Sequence, residues 1–368
     1  MKILFVSPEN IEKSSTFIKQ QAAWLSPQGI LSGGYRPFRY NGKSIFTFPL
    51  RLGIVRMLLK NVAATLYTHL YNKALYRFLK TENFDAILCQ FGPQGANIAD
   101  ACHKAGVPLV VHFHGYDAFA YKTITEYTAA YRNMFDKTAC IIAVSEDMRK
   151  QLIKLGAPAE KVVLRPYGVD TTMFTNAQPS ANERILLFVG RFTAKKDPVS
   201  LLKAFHYARQ TVPDTRLVMI GKGELHQLVL KTVEELHLQD SVEIMGWQKP
   251  EEIARRMQQA RAYVQHSVFA LNGDSEGSPV AIIEAAGSGL PVVSTRHAGI
   301  KESVIEGVTG FLVDEGDWQG MGEYMVKLLN DAELAGKMGE AGRRHILEHY
   351  DVRQQMGEIQ EILEKVRK

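Results

Sequence analysis

Glu276-Gly277-Ser278-Pro279-Val280-Ala281-Ile282-Ile283-Glu284-Ala285-Ala286-Gly287 follows a β-rich apolar run at 262–266 and a loop at 267–277. Ser278 is a good helix N-cap, Pro279 suits a first helical turn, and Gly287 or Gly289 can end the helix. Strand, loop and short capped helix make the βα half of a parallel-sheet unit. The helix's free N–H groups and positive dipole end favour an anion such as a diphosphate. Glu284 then lies about six residues in, roughly 8–9 Å from that end at 1.5 Å per residue, which is about the offset between a diphosphate and a ribose. A carboxylate there accepts hydrogen bonds from both ribose hydroxyls, while Glu276, ahead of the cap, is placed to meet a sugar. The plainer alternative makes Glu276 a solvated loop carboxylate and Glu284 a helix-face charge.

The same alternation of short apolar runs and helix-length segments extends over nearly the whole chain, giving an α/β class with parallel sheets and helical crossovers. Strands are predicted at 2–7, 85–90, 108–113, 140–145 and 162–166, then at 185–190, 216–221, 242–245, 262–266, 291–294 and 311–313. At 368 residues the chain exceeds the size at which one core stops growing. We expect two Rossmann-like doubly wound domains facing a central cleft: residues 1–168, a linker at 169–183 rich in Asp, Thr, Asn, Pro and Ser, and residues 184–345. The tail, 346–368, is expected to be a helix packing back towards the first domain.

With 46% hydrophobic and 23% charged residues, the composition is that of an ordinary globular α/β protein. Cys89, Cys102 and Cys140 are far apart and suggest neither zinc nor a disulfide framework. The apolar run at the start is too short for a signal peptide and nothing reaches a membrane span, so a cytoplasmic location is expected. Charge is uneven. Between Glu12 and Glu82 there is no acid, yet Lys13, Lys19, Arg36, Arg39, Lys43, Arg51, Arg56, Lys60, Lys73, Arg77 and Lys80 are basic. Within 51–80 these alternate with apolar residues as in a basic amphipathic helix, which gains about 1 kcal/mol per well-placed basic residue at an anionic membrane. A core helix with a solvated basic face fits the pattern as well. No nucleic-acid recognition module accompanies it.

The carboxylate pair and its surroundings resemble the glycosyltransferases of the GT-B fold, family four, a large retaining group in which Glu, seven intervening residues and a second Glu mark the donor site. The likeness continues through Gly287-Ser288-Gly289-Leu290-Pro291-Val292-Val293 and His297-Ala298-Gly299-Ile300-Lys301-Glu302 to Gly310-Phe311-Leu312-Val313, departing from the usual glycine at Ala298. Upstream, Val189-Gly190-Arg191-Phe192 precedes Lys195-Lys196-Asp197-Pro198. Two cations beside a backbone turn suit a diphosphate leaving group, although both would also serve as surface charges at a helix start. The resemblance gives Arg191 and Lys196 the task of stabilising the departing nucleotide and makes a metal unnecessary. Gly221-Lys222-Gly223-Glu224 resembles the family's turn near the donor, but such a turn also commonly just reverses the chain. Gly246-Trp247 resembles the turn lining the base pocket. The resemblance thus implies donor contacts at Gly190, Gly221, Gly223, Gly277, Ser278, Pro279, Val280 and Glu284. Asp274-Ser275-Glu276 invites comparison with a metal-binding Asp-x-Asp, against which its place before a capped helix argues.

On the acceptor side, the strand at 108–113 leads into His114-Gly115-Tyr116-Asp117. The family counterpart of His114 lies against the donor sugar, so the resemblance places His114 with Arg191, Lys196 and Glu276 as catalytic and Asp117 as an acceptor-side candidate; His112 reads more simply as a core histidine. Ser14-Ser15-Thr16-Phe17 resembles the first loop of exopolysaccharide-type members, its hydroxyls holding acceptor or merely capping a helix. Retention is implied by the family. No pair of carboxyls of glycosidase type is legible, and same-face attack with the leaving phosphate taking the acceptor proton is the expected route. The expected activity is hexosyl transfer from a UDP- or GDP-sugar to a glycan acceptor, lipid-linked, in cell-surface polysaccharide biosynthesis, with no cofactor, no metal, no nucleic-acid partner and peripheral membrane contact through residues 13–81. The alternatives are a nucleotide-sugar epimerase or phosphorylase of the same architecture, or a non-catalytic membrane scaffold.

Overall fold

A computed structural model of the chain describes residues 1–9, 11, 16–46 and 62–368. It divides into two compact units, Met1–Arg165 with Met356–Lys368, and Pro166–Gln355. Ser14 and Ser15, and Arg51, Arg56 and Lys60 of the basic stretch, lie outside the described residues.

The first unit is built on a sheet of eight described strands in the order β4-β3-β2-β1-β5-β6-β7-β8. β1 (Ile3–Val6) pairs in parallel with β2 (Gly29–Ser32) and β5 (Ala86–Gln90). β6 (Leu109–His112), β7 (Cys140–Ala143) and β8 (Val162–Leu164) continue in parallel. β3 (Arg39–Tyr40) and β4 (Lys43–Ser44) add an antiparallel edge. Every residue of β1, β5, β6 and β7 is buried, as expected for parallel strands covered on both faces. The C-terminal helix, Val352–Val366, belongs to this unit from Met356 onward. Leu363 is fully buried, and Glu358 pairs with Arg165 at 2.9 Å.

In the second unit all strands are parallel, ordered β11-β10-β9-β12-β13-β14: β9 (Ile185–Val189), β10 (Arg216–Ile220), β11 (Val242–Gly246), β12 (Ala262–Val264), β13 (Val292–Thr295) and β14 (Gly310–Val313). Leu186, Phe188, Phe205, Met219 and Val293 are part of its core. The segment expected as a linker, 169–183, is part of this unit: Val169 bridges to Asp351, and Phe174 is buried. The chain leaves β9 towards β10 on one side and returns to β12 on the other. This places a topological switch point between β9 and β12, where doubly wound sheets bind ligands.

Candidate active site

At that switch point β9 runs into Gly190, Arg191 and a 3₁₀ turn, Ala194–Lys196. Asp197 follows with φ 33°, a left-handed conformation that Asp tolerates better than most residues. Its carboxylate accepts from the Ser200 amide at 3.2 Å and so caps helix Pro198–Thr211. Lys195 donates to the Asp274 carboxylate and to the Ser275 carbonyl, both at 3.1 Å. The Lys196 ammonium lies 3.1 Å from the Glu276 carboxylate. Burial opposes both charges: it lowers Lys196, and it would raise Glu276, whose carboxyl is nevertheless held below its usual value by the neighbouring ammoniums of Lys196 and Lys195.

The Glu276 loop is gripped from its other side by His297, a residue whose motif does not by itself signal such a contact. His297 is fully buried; its Nε2 accepts from the Glu276 amide at 3.2 Å, and its Nδ1 lies 2.6 Å from the Glu315 carboxylate. A ring nitrogen that accepts from an amide carries no proton, so Nδ1 carries it and donates to Glu315. Neither Lys195 nor Glu315 carries a sequence signal for this clamp beyond its charge. Next to His297, Ala298 has φ 42°, which a glycine would adopt at less cost.

The helix starts one residue later than the sequence suggests, at Val280, and ends at Gly289 with φ 97°. Pro279 takes the cap position and Ser278 makes no side-chain cap bond, a correction to its expected role. Proline is fixed near the required φ and lacks an N–H to satisfy. The Ser278 hydroxyl is instead buried without a protein partner, beside Gly277 at the helix entrance. Glu284, on the second turn, is half-buried; burial pushes its carboxyl up to about 8, and no charged neighbour offsets it.

Gly221 and Gly223 are explained by close backbone approach, whereas a Cβ on Gly190 would meet only side chains, Phe188 at 3.1 Å and Lys196 at 3.5 Å. A Cβ on Gly221 would lie 1.9 Å from the Gly190 carbonyl oxygen, and one on Gly223 2.3 Å from that of Phe192. The Gly190 amide bonds the Ile220 carbonyl and the Gly221 amide the Gly246 carbonyl. These strand ends are therefore stitched into one floor beside Lys196. Arg191 is exposed, and Trp247 is 72% exposed just beyond Gly246.

In the first unit, His114 lies at the carboxyl end of β6, with Nε2 2.8 Å from Gln90 Oε1 and the Phe91 ring at 4.5 Å. Burial and neighbouring His112 keep it neutral, well below the ordinary histidine value. Asp117 is fully buried and accepts from the amides of Gly92, His114 and Gly115 at 2.9–3.0 Å, so its carboxylate is spent on shaping this corner. Thr16 is the exposed first residue of a helix, Thr16–Leu25.

A family model described as glycosyl transferases group 1 matches residues 170–345, and one described as glycosyltransferase family 4 matches residues 34–173. The chain is 30% identical over 279 residues to the putative colanic acid biosynthesis glycosyltransferase WcaL of Escherichia coli K12, covering 74% of this chain and 68% of that one. With the protein of the same name from Salmonella typhimurium it shares 31% over 242 residues, 64% of this chain, and spans 59% of that relative's length. It is 26% identical over 314 residues to the UDP-Gal:alpha-D-GlcNAc-diphosphoundecaprenol alpha-1,3-galactosyltransferase of Escherichia coli, covering 78% of this chain and 77% of that one. Among solved structures, Anabaena HepE in complex with UDP superposes with a TM-score of 0.77 at 19% identity over 99% of this chain and 100% of that one.

Proposed function

The chain belongs to the glycosyltransferases of group 1 and family 4, with the GT-B fold, and we propose that it transfers a hexosyl unit from a UDP- or GDP-sugar to a lipid-linked saccharide, with retention and without a metal. The observation that carries this reading is the corner at the β9/β12 switch point. There a buried Lys196–Glu276 pair, an unpartnered Ser278 hydroxyl at a helix entrance and an uncompensated Glu284 come together.

In this reading the diphosphate lies against the Gly277–Val280 entrance, Lys196 and Arg191 balance its growing charge, and Glu284 accepts from the ribose hydroxyls. Glu276, held by Lys196 and His297, contacts the hexose. His114 is assigned to the reacting sugar by family resemblance. The acceptor oxygen attacks the anomeric carbon on the face the nucleotide leaves; the bond from that carbon to the phosphate oxygen breaks, and this oxygen takes the acceptor proton. Cationic side chains supply the charge stabilisation that a metal gives elsewhere, which is why none is invoked.

The lipid-linked acceptor is supported by the named substrate of the diphosphoundecaprenol relative and by the acid-free stretch 13–81. No described helix is long and apolar enough to cross a membrane, so contact with the cytoplasmic face of a membrane is proposed as peripheral. A thermal-shift screen against UDP-, GDP- and ADP-sugars tests the donor: ligand at 100 times its Kd adds about 2.7 kcal/mol. The reading fails if none of them shifts the melt. An inverted product anomer, or activity abolished by EDTA, would remove retention or metal independence respectively. Flotation with phosphatidylglycerol vesicles at low salt tests the membrane contact, which is refuted if neutralising Arg51, Arg56 and Lys60 changes nothing.

A further inference from the structure

Glu276 stands near the end of the loop 267–277. The two large apolar side chains of its outer half, Phe269 and Leu271, are exposed. Its inner turns are backbone bonds, from the Gly273 amide to the Ala270 carbonyl at 2.8 Å and from the Ala270 amide to the Asp274 carbonyl at 3.0 Å. Such a loop is placed by the groups that fasten its two ends.

Two residues do so. The Lys195 carbonyl accepts from the Val268 amide at 2.9 Å, and its ammonium donates to the Ser275 carbonyl at 3.1 Å. Glu315, two residues beyond β14, divides its carboxylate: one oxygen accepts from the Phe269 amide at 2.9 Å, and the other lies 2.6 Å from His297 Nδ1. His297 carries the grip onward, its Nε2 3.2 Å from the Glu276 amide and 3.0 Å from the Ser275 hydroxyl. The Phe269 ring stands edge-on to the imidazole at 4.7 Å. Glu315 therefore holds the first end of the loop directly and the second through a fully buried ring. Because Nδ1 donates to Glu315, Nε2 is left as the acceptor that an amide requires.

A buried imidazole costs free energy unless its ring nitrogens are bonded, and here both bonds serve the loop. What they fix is the backbone of Glu276, whose carboxylate is fixed separately by Lys196 at 3.1 Å. The groups assigned to the nucleotide, the Gly277–Val280 entrance and Glu284, follow on the helix and take no bond from His297 or Glu315. We propose that Glu315 and His297 are positioning residues for the donor hexose: acting through Glu276, they set turnover of the sugar and leave nucleotide affinity alone. The inference rests on the glycosyl-transfer reading, in which Glu276 meets the hexose. A contact of this kind has to be held within about 0.5 Å, and a displacement of about 1 Å can cost about 100-fold in rate.

The test uses the full chain. Acceptor-free hydrolysis is followed with whichever of UDP-glucose, UDP-galactose and GDP-mannose wild type consumes fastest, and the matching UDP or GDP is titrated by calorimetry. His297→Leu fills the ring's place without an acceptor, whereas His297→Gln brings Oε1 near the position of Nε2 and can accept from the Glu276 amide. Glu315→Gln keeps one accepting oxygen and Glu315→Ala keeps neither. Turnover should fall about tenfold or more in His297→Leu and Glu315→Ala, return to within about threefold of wild type in His297→Gln, and lie between in Glu315→Gln. Nucleotide Kd should stay within about twofold throughout, which also shows that the second unit is folded. If His297→Leu fails to bind nucleotide, the Glu315 variants carry the comparison, since that side chain is partly exposed. Three results overturn the proposal: turnover within twofold of wild type in His297→Leu and Glu315→Ala, nucleotide affinity that falls in step with turnover, or equal turnover in His297→Gln and His297→Leu. A wild type that binds UDP or GDP yet hydrolyses no sugar nucleotide overturns the positioning role and leaves the nucleotide reading standing. One that binds neither overturns the donor reading, and the positioning role with it.

Discussion

The Lys196 ammonium stands 3.1 Å from the Glu276 carboxylate, with the two side chains only 12% and 8% exposed. Removing one member of a buried pair leaves an uncompensated charge and typically costs about 3–5 kcal/mol. Lys196→Met and Glu276→Gln should each destabilise by about 3 kcal/mol, somewhat cushioned for Lys196→Met because Lys195 remains near Glu276. The double variant should recover much of that loss, since no orphaned charge remains. Turnover should stay about 100-fold or more below wild type in all three. Urea melts and donor consumption check both halves. Additive stability losses would show that the pair is not coupled.

Gly221 provides a test of backbone fit. Its φ is 144°, and an added Cβ would lie 1.9 Å from the Gly190 carbonyl oxygen. Gly221→Ala must therefore separate the two strand ends, and we expect a loss of about 3 kcal/mol or more. The second unit should melt roughly 6–12 °C lower. Gly307 is the control: its φ is 71° but nothing lies within 4 Å of its Cβ position, so Gly307→Ala should cost only about 1 kcal/mol. Equal effects in a calorimetric scan would discount the close approach.

What was legible in the sequence follows from what is local. Buried parallel strands such as Ala86–Gln90 read as continuous apolar runs, and the Glu276–Glu284 spacing read correctly as a loop and helix at a strand end. The strands Gly29–Ser32, Arg39–Tyr40 and Lys43–Ser44 carry no such run, two of them being two residues long and the first half-buried at alternate positions. Ser278 looked like the cap because its side chain suits one, but Pro279 took that place and freed the hydroxyl. The grip of His297 on the Glu276 amide spans 21 residues, and its link to Glu315 a further 18. No period or propensity encodes such a contact.

Asp117 predicts a pH effect confined to the first unit. Burial raises its carboxyl to about 6 against the pull of the amides of Gly92, His114 and Gly115. A folded-state value above the unfolded one means that the native state holds the proton more tightly. The resulting stability is fully present below about pH 3.8 and is lost as pH rises through 6, a change of about 3 kcal/mol. Asp117→Asn cannot titrate, and its NH₂ would face an amide donor, so at neutral pH it should cost about 1–3 kcal/mol. Plotted against pH, the stability difference between wild type and variant should narrow from pH 4 to pH 6. A constant difference would contradict the raised carboxyl.

Glu284 predicts a pH effect on the nucleotide. Burial raises its carboxyl to about 8 with no charged neighbour to offset it. In the free protein, the stability linked to this group is therefore present below the ordinary carboxylate range and lost as pH climbs through 8. Glu284→Gln, which never ionises, should accordingly gain on wild type in melts taken at pH 9. Ligand affinity runs the other way. Two ribose hydroxyls donate to the ionised carboxylate, so binding has to expel the proton whenever pH lies below 8. Affinity for UDP or GDP should rise about tenfold between pH 7 and pH 9 and level off above it. Calorimetry in buffers of different ionisation heat should register close to one proton released at pH 7. The Gln variant should bind weakly at pH 9 with a flat profile and no proton release. A wild type whose nucleotide affinity is equally flat would remove the ribose from Glu284 and leave the helix entrance and Lys196 to hold the diphosphate alone.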